Sequence, residues 1–259
     1  MIRMRTDFFA QSLGMGTSMV VLMPQAAAGI GMEGADSASG AASERGVPVL
    51  YLLHGLSDDC TIWERRTSIE RYATEKGIAV VMPEVRRSFY ADEAVGEKYW
   101  TFIAEELPEL IARTFRISTA REDTFVAGLS MGGFGAFKLA LNHPERFAAA
   151  ASLSGAVDLT SMDLDWTGTL AQRVWDGREI ADTADDLLGL LGRRDPAELP
   201  ALFLDCGTED QLITQNERFL AAAEDAGVDV TSRLRPGAHT WDFWDEGVQD
   251  VLDWLPIRG

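Results

Sequence analysis

Five short stretches of this chain carry the residues that could do covalent chemistry: His54-Gly55-Leu56-Ser57, Gly128-Leu129-Ser130-Met131-Gly132, Leu153-Ser154-Gly155, Cys206-Gly207-Thr208-Glu209-Asp210 and Gly237-Ala238-His239. Together they hold a serine between glycines, two carboxylates and two of the three histidines. A serine hydroxyl is a weak nucleophile at neutral pH; it needs a base to take its proton and an acid to fix the tautomer of that base. Ser130, in the pattern G-x-S-x-G, joins an apolar run at 124–127 to a helical pattern at 131–141. Gly128 and Gly132 are read as letting the chain bend sharply there and present the hydroxyl.

The base follows by elimination. His143 lies thirteen residues beyond Ser130, near the end of the following helix, roughly 20 Å away at about 1.5 Å per residue. His54 stands at a strand end before Gly55, a place that suits shaping a loop. His239 remains, in a loop after the last predicted strand. In the chain order serine, acid, histidine, the acid falls in the segment after the strand at 201–205. Asp210 is favoured because the chain has left the sheet there, with Asp205 second; Glu209 faces elsewhere, and Asp242 reads as a helix-start residue. The backbone N–H groups of Met131 and Leu56 are the candidate donors to an oxyanion. Trp63, Trp166, Trp175 and Trp241 are the candidate walls of a substrate pocket, the competing use of each being core packing.

The elements that must position these residues are legible in outline. Two strand-like segments, 4–13 and 17–23, separated by Gly14 and Gly16, suggest a hairpin. Residues 25–46, rich in Ala, Gly and Ser, read as a long flexible surface loop. After them strands and helices alternate: strands at 47–53, 78–82, 124–127, 148–153, 201–205 and 228–234, helices at 62–76, 99–115 with a kink at Pro108, 131–141, 214–226 and 241–254. Apolar strands separated by helices imply an α/β protein with a mainly parallel sheet covered on both faces. In such sheets ligands bind outside the carboxyl ends of the strands, where all five stretches fall. The segment 157–199, with Trp166, Trp175 and many aspartates, breaks the rhythm and is expected to form a short helical cap inside a single domain spanning 1–259.

Composition narrows the function classes. The chain has 259 residues, 23 Lys plus Arg against 41 Asp plus Glu, and a net charge of −18, so nucleic acid and anionic membrane surfaces are disfavoured as partners. No run approaches the ~18 apolar residues of a membrane helix. The longest apolar run near the amino terminus, Met19–Met23, is too short for a signal-peptide core, and the chain is read as cytoplasmic. Two cysteines, Cys60 and Cys206, give no disulfide framework, and the three scattered histidines give no metal site. No metal and no cofactor are expected; oligomeric state is not legible.

Taken together, LLHGLSDDCTIWERRTSIERYATEKGIAVVMPE, GEKYWTFIAEELPELI, AGLSMGGFGAFKLAL, CGTEDQL and GAHTWDFW resemble the tributyrin esterase and feruloyl esterase branch of the esterase D-like α/β-hydrolases. The resemblance runs from about residue 47 to the end, interrupted by the cap. It implies an α/β-hydrolase fold with eight strands and cofactor-free hydrolysis of a small-molecule carboxylic ester, and its triad coincides with Ser130, Asp210 and His239. S-formylglutathione hydrolases of the wider family carry a cysteine three residues after the glycine of the oxyanion loop; here that position is Asp58, with Cys60 two further on, which counts against that thioester substrate. Secreted mycolyltransferases share the fold, but no export signal is evident. Acyl transfer through the same acyl-enzyme, and a non-catalytic binding protein on this fold, are the remaining alternatives.

Overall fold

The computed structural model describes residues 1–25, 46–162 and 168–257. The proposed loop at 25–46 therefore lies almost wholly outside the described residues, as does Trp166. In chain order the elements are β1 (Ile2–Ala10), β2 (Met15–Met23), β3 (Val49–Leu53), α1 (Ile62–Arg66), α2 (Ile69–Lys76), β4 (Ala79–Pro83), α3 (Tyr99–Thr101), a π-helical turn (Phe102–Glu106), α4 (Leu107–Thr114), β5 (Thr124–Leu129), α5 (Met131–Asn142), β6 (Ala149–Leu153), α6 (Thr169–Val174), α7 (Leu187–Arg193), β7 (Ala201–Gly207), α8 (Ile213–Asp225), β8 (Val230–Arg235) and α9 (Trp241–Trp254).

One eight-stranded sheet runs β1-β2-β4-β3-β5-β6-β7-β8. β1 and β2 form the expected antiparallel hairpin, β2 lies antiparallel to β4, and all later pairs are parallel. The Met19–Met23 run is the inner half of β2, and Met19 to Leu22 are fully buried. The parallel strands β3 to β6 are buried along their whole length, as strands covered on both faces must be. Alternate residues feed two cores. Leu50, Leu52, Phe125, Ala127 and Phe203 pack with α1, α2 and α9; Tyr51, Val126, Ala150 and Leu202 pack with α4, α5 and α8.

Two helices differ from the sequence reading. The helix expected over 62–76 is broken at Thr67, whose backbone is extended and whose hydroxyl donates to the Trp63 carbonyl. The helix expected over 99–115 passes through the π turn immediately before Pro108. Proline supplies no N–H to the helical ladder, and a wider turn absorbs the mismatch without ending the helix.

The segment between β6 and β7 contains α6 and α7 and is tied to the body at identifiable points. Ala94 and Val95 donate backbone hydrogen bonds to the carbonyls of Val174 and Arg173, and Arg173 pairs with Glu93 at 2.9 Å. Lys138, buried on α5, donates to the Tyr90 carbonyl at 2.7 Å, meets Asp185 of the segment at 2.5 Å and lies over the Trp100 ring. Burial pushes the Lys138 amine below its ordinary range, with Asp185 acting in the opposite sense.

Candidate active site

Ser130 ends β5 and caps α5 with φ 54° and ψ −118°, a conformation that costs a non-glycine residue about 1–3 kcal/mol. The strain is held by three backbone hydrogen bonds: Ser130 N–H donates to Leu153, and the Ser130 carbonyl accepts from Phe134 and Ala156. Neither flanking glycine takes a positive φ. Their role is close approach, because a Cβ on Gly128 would collide with the Gly132 carbonyl and one on Gly132 with the carbonyl of Leu53. The sequence reading had the glycines supply the bend; the serine itself adopts the left-handed φ, and the glycines bring strand and helix together around it.

His239 Nε2 lies 3.1 Å from Ser130 Oγ, and His239 Nδ1 lies 2.8 Å from Asp210 Oδ2. With Nδ1 carrying its proton toward the carboxylate, Nε2 faces the hydroxyl as an acceptor. Asp210 Oδ1 accepts from the Leu212 N–H at 2.8 Å. Burial alone would push the Asp210 carboxyl up, but the hydrogen bonds from His239, Leu212 and Ser154 and the charge of His239 outweigh it and hold the group below the usual carboxylate range.

The other candidates are engaged elsewhere. Asp205 is fully buried and takes a forked guanidinium contact from Arg235 at 3.0–3.3 Å; burial raises its carboxyl despite that partner. His54 is spent at both nitrogens, Nδ1 on the Gly55 carbonyl at 2.8 Å and Nε2 on the Val85 N–H at 3.1 Å. Accepting at Nε2 puts the proton on Nδ1, so His54 pins the loop after β3 to the loop after β4. His143 stacks on Trp100 at the far end of α5.

The loop after β3 abuts the nucleophile: a Cβ on Gly55 would stand 3.7 Å from Ser130 Cβ. Leu56 follows directly and is half-buried. Neither the Leu56 N–H nor the Met131 N–H donates to a backbone carbonyl among the described residues, which leaves both available to a ligand. Asp58 folds back on Gly55, and burial raises its carboxyl, a neighbouring His54 and the Gly55 backbone acting against that.

Of the four tryptophans, Trp63 and Trp175 are buried, Trp241 is half-buried and Trp166 lies outside the described residues. Trp63 is 1% exposed and donates its indole N–H to the Leu53 carbonyl. It packs edge-on against Trp241, Trp241 edge-on against Trp244, and Trp244 edge-on against His239, with centroids 5.4, 5.2 and 4.7 Å apart. Trp63 and Trp241 therefore form a buttress that ends on the imidazole. Trp175 is 6% exposed, packs on Phe89 and donates to Asp185. A cavity of about 430 Å³ between the loop after β4 and α6 is lined by Arg87, Val95, Thr169, Leu170, Gln172 and Arg173. Sequence reasoning passed over Trp244, although WDFW sets it three residues after Trp241, on the same helical face.

No group of three or more His, Cys, Asp or Glu able to hold a metal occurs among the described residues. No helix among them is long and apolar enough to cross a membrane. Both thiols are buried, Cys60 pushed up by burial to about 11 and Cys206 to about 12.

Residues 38–255 match the family described as putative esterase. The chain belongs to that family. An acetyl esterase from Caldicellulosiruptor saccharolyticus is 28% identical over 218 residues, covering 80% of this chain and 82% of that one. Among solved structures, the substrate-bound fluorophosphonate-binding serine hydrolase FphF of Staphylococcus aureus superposes with a TM-score of 0.87 at 30% identity, over 100% of this chain and 99% of that one. The apoenzyme of an S-formylglutathione hydrolase from the same organism gives 0.80 at 29% identity, over 98% of each. The sheet is that of the α/β-hydrolase fold, the resemblance to the esterase D-like branch accords with these relatives, and this family member is a carboxylic ester hydrolase of the serine esterase kind.

Proposed function

We propose that this esterase hydrolyses short-chain acyl or compact aryl esters through an acyl-enzyme on Ser130, with His239 as general base and acid and Asp210 as its orienting carboxylate. The observation that carries the reading is the continuous line of contacts from Ser130 Oγ through the imidazole to Asp210, with the serine held in a strained turn. Ser130 Oγ attacks the ester carbonyl as its proton passes to His239 Nε2, and the oxyanion is met by the N–H groups of Leu56 and Met131. The proton then goes to the leaving alcohol, and a water activated by His239 releases the acid. No cofactor takes part.

Ser130→Ala is expected to lower kcat by up to ~10⁶ while the protein stays folded; near-normal turnover by that variant would end the mechanism. The size preference rests on the segment between β6 and β7, which as a short cap offers little apolar surface. Each methylene that fits adds about 0.8 kcal/mol of burial, and the gain stops where the pocket ends. In a p-nitrophenyl ester series kcat/KM should peak at acetyl to butyryl and fall by about C8. A maximum at C12 or beyond, or activation at an oil–water interface, would overturn the preference.

The likeness to an S-formylglutathione hydrolase favours one second reading, a thioesterase. Asp58, at the position where those enzymes carry cysteine, argues against it, and S-formylglutathione belongs in the same substrate screen. Acyl transfer to an alcohol is separated from hydrolysis by analysing products with added acceptors.

A further inference from the structure

Ser154 follows β6, at the end of the strand beside the nucleophile. It is fully buried and has a φ of 48°, a region that favours glycine and penalises a side chain. A serine kept in an unfavourable backbone conformation with no exposure to solvent points to its hydroxyl.

The surroundings specify what that hydroxyl does. Trp244 Nε1–H donates to Ser154 Oγ at 3.1 Å, occupying one lone pair and leaving the hydroxyl proton free to be donated. The Asp210 carboxyl and the Cys206 thiol are its neighbours, and the hydroxyl acts to lower the pKa of both. At neutral pH Cys206 is an uncharged thiol whose own S–H points to the Gly207 carbonyl. The ionised carboxylate is the stronger acceptor. Asp210, which already takes the Leu212 N–H and His239, is the acceptor assigned to that proton. The same Trp244 ring stands edge-on to the His239 imidazole, centroids 4.7 Å apart at 89°.

We propose that Ser154 and Trp244 act as a positioning pair for the catalytic acid and base: the hydroxyl fixes the rotamer of Asp210, the indole N–H orients that hydroxyl, and the indole ring holds the imidazole plane. The proposal rests on the reading of Ser130, His239 and Asp210 as the triad. Neither residue touches the substrate, so the pair should act on turnover and leave binding alone.

The test is Ser154→Gly, which removes the hydroxyl and also relieves the strained φ. The midpoint of thermal unfolding should stay within about 3 °C of the parent. A charge-assisted hydrogen bond is lost, so kcat should fall about tenfold at unchanged KM. Labelling of Ser130 by a fluorophosphonate, a readout free of substrate binding, should slow by the same factor. Trp244→Phe keeps an aromatic ring against His239 without the N–H and should give a smaller, roughly threefold loss. Wild-type kcat in Ser154→Gly, an unchanged labelling rate, or failure of that variant to fold would each overturn the proposal. Ser130→Ala, assayed in parallel, separates the two levels. If it is inactive and Ser154→Gly is fully active, the positioning role alone falls; if Ser130→Ala itself turns over, the triad reading falls and takes this proposal with it.

Discussion

Asp205 and Asp210 stand five residues apart at the end of one strand, both almost without solvent exposure, and they meet opposite fates. Asp205 faces a guanidinium that is charged at every accessible pH, and Arg235 is itself held by Glu246, the Phe243 carbonyl and the Phe243 ring. Asp210 faces an imidazole that can gain or lose a proton, and its remaining oxygen is satisfied by backbone. The first pairing joins β7 to β8 and α9 and has no moving part. The second leaves one charge to be switched. Burial does not make a carboxylate functional; the titration range of its partner does.

The comparison breaks most sharply on activity. Asp210→Asn should reduce kcat by about 10⁴, the scale seen when an orienting aspartate is neutralised in a serine hydrolase, with the fold retained. Asp205→Asn should keep kcat within about tenfold, because that carboxylate meets Arg235 and no residue of the proposed triad. An inactive Asp205 variant beside an active Asp210 variant would exchange the two roles.

A finer test uses the sign of the proton linkage. Asp210 is held below the ordinary carboxylate range in the fold, so its contribution is present above the unfolded value of about 3.9 and is lost as pH falls through the folded value. Asp205 is raised in the fold, so the native state takes its proton first and gains relative stability as pH falls toward about 4. Measured by urea unfolding from pH 7 to pH 3, Asp210→Asn should gain stability relative to the parent and Asp205→Asn should lose it. Parallel trends would mean that the environments of the two carboxylates have been assigned wrongly.

The smallest effect is expected at the thiols. With Cys60 and Cys206 buried and pushed up to about 11 and about 12, neither should react with a thiol reagent in the native protein at pH 7. Cys60→Ser should keep activity within about twofold, since Ser preserves volume and the thiol has no assigned role. Complete loss without unfolding would bring back a thiol-dependent reaction.

The strand positions, the hairpin and the gathering of Ser130, Asp210 and His239 on one edge were legible because they follow from strand ends, which Gly and apolar runs punctuate. The separation of Asp210 from Asp205 was legible only as a preference, since both lie within reach of a strand end and the Arg235 contact arises thirty residues later. The core setting of Trp63 was illegible for a different reason. A large aromatic beside a catalytic loop can face inward or outward, and only the packing of α1 against α9 decides which. Ser154 was noted as one of five strand-end positions, yet its hydroxyl acquires a meaning only when α9 delivers Trp244. Cross-element contacts of this kind leave no local pattern in a single sequence.

The buried Lys138 also sets a rule for anyone who would re-engineer substrate range by exchanging the segment between β6 and β7. That segment carries the counterion of α5, because Asp185 neutralises an amine that the core has already stripped of water. A donor segment without a carboxylate at that position would strand a cation inside α5, the helix that follows Ser130, and the chimera should fold poorly however well its surface fits the ester. Exchanging the segment together with Lys138→Met would lift the restriction, making the lysine a compatibility marker that tells which inserts this scaffold can accept.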